Sequence, residues 1–116
     1  MKKINESKIV IQKSKFFGYL YSIESKEEIE KVVDEVSSNH KKARHVCYAA
    51  FVEGEEIIKN DGEVGSPGKV LLQLLDKYEK KNHVLVIARI FGGIKLGVGG
   101  VSRAFRQTGE DCCKDL

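Results

Sequence analysis

Arg89, Lys95, Arg103 and Arg106 stand around a stretch that carries Gly92, Gly93, Gly97, Gly99 and Gly100, and no acid falls between residues 88 and 106. Cations beside closely spaced glycines suit an anion, because a residue without a Cβ tolerates positive φ and lets a ligand approach the backbone. An apolar run, Val84 to Ile90, leads into this loop, and Val101, Ala104, Phe105 and Thr108 follow at helical spacing. Strand, glycine loop with lysine, then helix start is the arrangement of a phosphate cradle, since unpaired amides and the helix dipole favour negative charge there. The loop has neither the G-x-x-x-x-G-K-S/T spacing of a P-loop nor a complete G-x-G-x-x-G, because Ser102 follows Gly97-Val98-Gly99-Gly100-Val101. The same glycines would also suit a tight turn that lets a helix pack close to a sheet. Both readings stay open at this point.

A second loop runs from Asn60 to Gly68 and holds Asp61, Glu63 and Ser66. Asp61 and Glu63 suit paired carboxylates or magnesium ligands beside a phosphate. The plainer reading makes Asp61-Gly62 a turn and Glu63 a solvated acid. Ser66 is expected to cap a helix that opens at Pro67. Arg89 interrupts an otherwise apolar strand, and a buried arginine needs an acid; Asp61 or Glu63 is the expected partner.

Other reactive types carry less. Cys47 and His45 share a strand face two residues apart, which separates their side chains by about 7 Å, too far for a nucleophile and its base. Cysteine in an apolar strand reads as a small core residue. Cys112 and Cys113 sit beside Asp111, with Lys114 as the local cation, so no activated thiol is expected. His40, His45 and Cys47 match no zinc finger or ribbon spacing. No metal, cofactor or catalytic residue is therefore assigned.

The elements that must position these loops can be read in order. Lys8–Gln12 and Phe16–Ile23 read as strands around a tight hairpin. Ser25-Lys26-Glu27-Glu28 reads as a capping box before a helix with Ile29, Val32, Val33 and Val36 on one side. Arg44–Val52 is apolar on both alternating faces, which asks for a mid-sheet strand covered on both sides. Glu56–Lys59 is a short charged edge strand. A helix follows with Leu71, Leu74, Leu75 and Tyr78 on its stripe, then the strand of residues 83–90, the glycine loop, and a helix to about Cys113. The order β-β-α-β-β-α-β-α suits an α+β fold, a mixed sheet with helices packed on one face.

The whole chain excludes several classes. Its 116 residues suit one domain over 1–116, large enough for a core without metal or disulfide staples. No apolar run approaches the ~20 residues that span a bilayer, so no membrane partner is expected. The basic N-terminus lacks a following apolar region, and three cysteines without a C-x-x-C fit a reduced cytosol, which makes the expected location cytoplasmic. A net charge of +3 permits nucleic acid without demanding it. Lys2, Lys3, Lys8, Lys13 and Lys15 against Glu6 make residues 1–23 basic.

Four pieces occur in order: S-K-F at Ser14–Phe16, A-R-H-V-C-Y-A at Ala43–Ala49, D-G-E through G-S-P-G at Asp61–Gly68, and A-R-I-F-G-G-I-K-L-G-V-G-G-V-S-R-A-F at Ala88–Phe105. Together they resemble the IMPACT family over nearly the whole chain, from about Ser14 to the last helix. The most specific piece is Arg, two aromatic places, Gly-Gly, two residues, Leu-Gly, one residue, Gly-Gly, met by Arg89 to Gly100 with Ile90 in the first aromatic place. The family's D-G-E-P-x-G-T-A-G is here D-G-E-V-G-S-P-G, one residue shorter and with the proline moved. The resemblance implies the fold named after the second domain of ribosomal protein S five, and a link to translation. Eukaryotic members restrain an initiation-factor kinase by competing for its activator. Members usually continue into a second, ferredoxin-like domain or follow an N-terminal interaction domain, so this chain is expected to supply the core N-terminal domain alone.

Two functions of different class follow. The first is a cytosolic, non-enzymatic binding module engaging RNA, the ribosome or a translation-regulatory protein. Its expected anion or nucleic-acid site is Arg89, Gly92, Gly93, Lys95, Gly97, Gly99, Gly100 and Arg103, with Asp61, Glu63 and Ser66 in the second loop. The alternative is an enzyme acting on a phosphorylated small molecule or nucleotide through the same loop. The module is the preferred reading, since no residue pair shows nucleophile-and-base spacing.

Overall fold

The computed structural model describes residues 1–114. Its elements are β1 (Lys2–Ile11), β2 (Ser14–Ser22), α1 (Glu27–Asn39), β3 (His45–Val52), β4 (Glu55–Lys59), α2 (Pro67–Lys77), β5 (His83–Ile90) and α3 (Gly97–Cys113). The α+β class and element order expected from the sequence are those observed. One sheet takes the order β1-β2-β5-β3-β4.

Every neighbouring pair in that sheet is antiparallel, where a mixed sheet was expected. The tight turns between β1 and β2 and between β3 and β4 dictate two of the pairings. The helical crossover from β2 through α1 to β3 does leave β2 and β3 parallel. They are not neighbours, because β5 inserts between them and runs against both.

The helices also differ from the expected single layer. Leu71, Leu74, Leu75, Val101, Ala104 and Phe105 from α2 and α3 cover the sheet face of Phe16, Leu20, Cys47, Ala49, Leu85 and Ile87. Ile29, Val32 and Val36 from α1 cover the opposite face, with Tyr48, Ala50, Val84, Val86 and Ala88. Strands β3 and β5 are apolar on both faces, so one helical layer would leave Val84, Val86 and Ala88 in water. Burial of an apolar side chain of this size is worth about 1.5–3 kcal/mol, which makes two-sided cover the favourable solution.

β1 begins well before the expected Lys8. Its N-terminal half is polar, yet Asn5 Nδ2 donates to the carbonyls of Asp111 and Cys112, and Ser7 Oγ donates to Thr108. Hydrogen bonds to α3 replace the apolar alternation that would have marked the strand.

Both expected helix caps are built otherwise. Lys26 precedes α1 and no side chain caps it; the Glu28 carboxylate accepts from the Glu24 amide and the terminal ammonium instead. Ser66 precedes α2 with φ 50° and makes no side-chain cap bond. Asn60 Oδ1 takes that role, accepting from the Gly68 amide at 2.8 Å. Among the described residues no helix is long and apolar enough to cross a membrane.

Candidate functional site

The antiparallel sheet puts four connections at one end of the molecule. They are the β1–β2 turn, the α1–β3 loop at 40–44, the β4–α2 loop at 60–66 and the β5–α3 loop at 91–96. The register draws them together, pairing Lys15 with Ile90 and Arg89 with His45. These connections carry Lys13, Lys41, Lys42, Arg44 and Lys95 against Asp61 and Glu63. The connections at the other end carry Lys26, Lys80 and Lys81 against Glu24, Glu53 and Glu79. One end is therefore electropositive and the other balanced.

Both acids at the basic end are engaged by the protein itself. Glu63 Oε2 accepts from Arg89 Nη1 at 2.8 Å, with the two side chains 3% and 8% exposed. This is the cross-loop pair expected for Arg89. Asp61 does not share it. Its Oδ2 accepts from the Val46 amide at 2.7 Å, and its carbonyl accepts from His45 Nδ1 at 2.8 Å. A carbonyl can only accept, so the proton sits on Nδ1, and His45 Nε2 is left 3.8 Å from Glu63 Oε2. Cys47 Sγ donates to the Asn60 carbonyl, and burial pushes the Cys47 thiol far up from its ordinary pKa. That thiol is a core group, as its strand position implied.

Between the loops lies a groove of about 430 Å³ bounded by Arg44, His45, Glu63, Phe91, Lys95 and Leu96. Arg89 forms part of its base, and Gly97, Val98 and Val101 bring the start of α3 to its side. Arg44 is fixed by its amide, which donates to the Arg89 carbonyl at 3.0 Å, and its guanidinium lies 4.9 Å from the Phe91 ring centroid. No side chain caps α3. A larger concavity of about 470 Å³ lies between α2 and the β3–β4 edge and includes none of the expected site residues.

The glycines divide into two kinds. A Cβ on Gly92 would stand 2.1 Å from the carbonyl carbon of Lys13, and the Gly92 amide donates to Ser14 Oγ at 3.1 Å. Gly92 is a packing glycine, seating the loop on the β1–β2 turn. Gly93 and Gly97 have φ of 89° and 74° with open space around the missing Cβ. They turn the backbone where an L side chain is strained. Gly65, absent from the expected set, brings the second loop against α3, since its Cβ would meet the Val98 carbonyl at 3.1 Å.

Of the expected residues, Arg89, Lys95, Gly97 and Glu63 come together at the groove. Gly99 and Gly100 belong to the first turn of α3, and the Arg103 guanidinium folds back over Gly99 rather than lining the groove. Asp61 and Ser66 serve the loop's own structure. Sequence reasoning missed Arg44, Phe91 and Asn60. Arg44 was legible as the single charge opening an apolar strand; the reach of Asn60 across eight residues to Gly68 had no local signal.

A model of the Impact N-terminal domain matches residues 12–113. IMPACT family member YvyE of Bacillus subtilis is 36% identical over 113 residues, covering 93% of this chain and 52% of that protein. The Protein IMPACT homolog of Caenorhabditis elegans is 33% identical over 96 residues, covering 74% of this chain and 37% of that one. The chain thus spans about half the length of its bacterial relatives. A crystal structure described only as that of a hypothetical protein superposes with a TM-score of 0.85 at 28% identity, over 96% of this chain and 58% of that one. The two-domain translational regulator Yih1 shares the fold, with a TM-score of 0.53 at 21% identity over 95% of this chain and 45% of that chain.

Proposed function

The chain belongs to the IMPACT family, and from that premise we propose that it is a non-enzymatic, translation-related binding module of the cytosol that grips RNA by its phosphate backbone. The observation that carries this reading is the charge asymmetry of the fold. Lys13, Lys41, Lys42, Arg44 and Lys95 gather at one end, and both acids there are already engaged. A surface of that kind attracts a polyanion through counterion release, with little regard for base sequence. The description of Yih1 as a translational regulator supports the translational setting. A ribosomal surface offers the same chemistry as free RNA.

The competing reading, turnover of a phosphorylated small molecule, has less support. Asp61 is committed to a backbone amide and Cys47 to the core, which removes the natural base and nucleophile.

Affinity for mixed-sequence single-stranded RNA, measured at several salt concentrations, tests the proposal. Four to six phosphate contacts give a log–log slope of roughly −3 to −4, at about −0.7 per contact. Absence of binding at low salt, or binding indifferent to salt, overturns it and transfers weight to a protein partner.

A further inference from the structure

The first-turn amides of α3, from Gly97 to Gly99, have no intrahelical acceptor and no side-chain cap. A helix start in that condition is common and means little alone. Arg89 makes this one different. Its side chain is 8% exposed and forms part of the same groove, yet among the described residues its one side-chain hydrogen bond runs from Nη1 to Glu63. Nε is sealed from solvent without a partner. Nη2 also bonds nothing among the described residues, but it is not sealed from solvent. A guanidinium carries five N–H donors, and buried polar groups normally use what they have. Donors left over at the base of a groove, beside Lys95, Arg44 and free helix amides, call for an acceptor with several oxygens.

Apart from His45, the rest of the groove is apolar. Phe91, Leu96 and Val98 line it, and the volume of about 430 Å³ falls in the range of small-molecule sites. Glu63 does not cancel the attraction, because its side chain is 3% exposed and already paired with Arg89.

We infer that this groove holds one nucleoside monophosphate unit. Its phosphoryl oxygens take bonds from the α3 amides, Arg89 Nη2 and Lys95, and its sugar and base lie on Phe91 and Leu96. A phosphoryl group matches this donor set better than a carboxylate, having three peripheral oxygens and up to two charges in a free monophosphate, or two tetrahedrally disposed oxygens and one charge within a chain. The unit is either a free nucleotide or one nucleotide of an RNA chain, and the second form deepens the RNA reading above and rests on it.

Titration calorimetry and amide shift mapping with AMP, adenosine, inorganic phosphate and a short RNA, on the wild type and on Lys95→Ala and Lys81→Ala, test the inference. AMP is expected to bind at least tenfold more tightly than either adenosine or inorganic phosphate, with shifts centred on residues 89–101. Lys95→Ala is expected to weaken AMP at least tenfold, and Lys81→Ala, an exposed cation at the balanced end, less than twofold. Displacement of RNA by AMP supports the chain-bound form. AMP binding without RNA binding supports the free nucleotide, leaving the inference standing and the RNA reading fallen. Salt-dependent RNA binding that neither AMP nor Lys95→Ala disturbs does the reverse. Adenosine or inorganic phosphate binding as tightly as AMP, or AMP binding unchanged in Lys95→Ala, overturns the inference.

Discussion

The Arg89–Glu63 pair concentrates the electrostatic cost of the site in two side chains. Both are withdrawn from water, so either one alone is a buried charge, and breaking such a pair costs about 3–5 kcal/mol. We therefore expect Arg89→Met to destabilise by that amount and Glu63→Gln by somewhat less, since its amide still accepts one bond. Arg89→Met combined with Glu63→Leu should recover most of the loss, because no uncompensated charge remains. Urea unfolding of Arg89→Met, Glu63→Leu and the double variant gives the coupling energy, and strictly additive losses would show that the loops are not joined through this pair. The pair was half legible in the sequence. An arginine in the run Val84 to Ile90 demands an acid, and two candidates lay in one loop. Choosing Glu63 over Asp61 required knowing that the Val46 amide takes the Asp61 carboxylate, which depends on where β4 ends relative to β3.

At the scale of elements, the β5–α3 loop is held by contact with the β1–β2 turn. Gly92→Ala drives a Cβ to within 2.1 Å of backbone that cannot move without opening the turn. Gly93→Ala meets no atom and carries only the strain of φ 89°. The expected losses are about 3 kcal/mol for Gly92→Ala, the upper end for overpacked sites, and about 1 kcal/mol for Gly93→Ala. Equal midpoints in chemical denaturation would contradict this assignment. Identity and spacing do not reveal which glycine is packed and which is open, although the helix and strand flanking them were plain from apolar period. Two helices on the same face are tied by another contact. Glu110 on α3 accepts from the Tyr78 hydroxyl beyond the end of α2, and from Lys77 Nζ at 3.0 Å. The Tyr78 bond, followed by Lys77, holds the Glu110 carboxyl below its usual range. A lowered folded-state pKa stabilises the protein above the unfolded pKa of about 4.3 and ceases to do so as pH falls through the folded value. Glu110→Gln should consequently lower the melting temperature at pH 7, with the difference from wild type shrinking below pH 4. A difference that persisted at pH 2 would place the effect in packing.

For the molecule as a whole, the sheet order decides where charge accumulates. β5 lies between β2 and β3, so the loops leading into β3 and out of β5 meet at the end where the β1–β2 turn also lies. A chain with a net charge of only +3 thereby presents a basic end opposite a balanced one. Composition alone could not report this, because Lys13, Lys41 and Lys95 are distant in sequence and are gathered by topology. Such a field acts over about a Debye length, ~8 Å at physiological salt, so neighbouring loops reinforce one another while the far end does not contribute. Replacing Lys41 and Lys42 together by alanine tests that separation. Both are exposed loop residues outside the groove, so stability should change by no more than about 0.5 kcal/mol per site. Loss of two phosphate contacts should flatten the log–log salt slope of RNA binding by about 1.4. Lys81→Ala, an exposed cation at the balanced end, should leave the slope unchanged. If Lys81→Ala and the double variant flatten the slope alike, binding follows net charge rather than its distribution, and the basic end is not the contact surface.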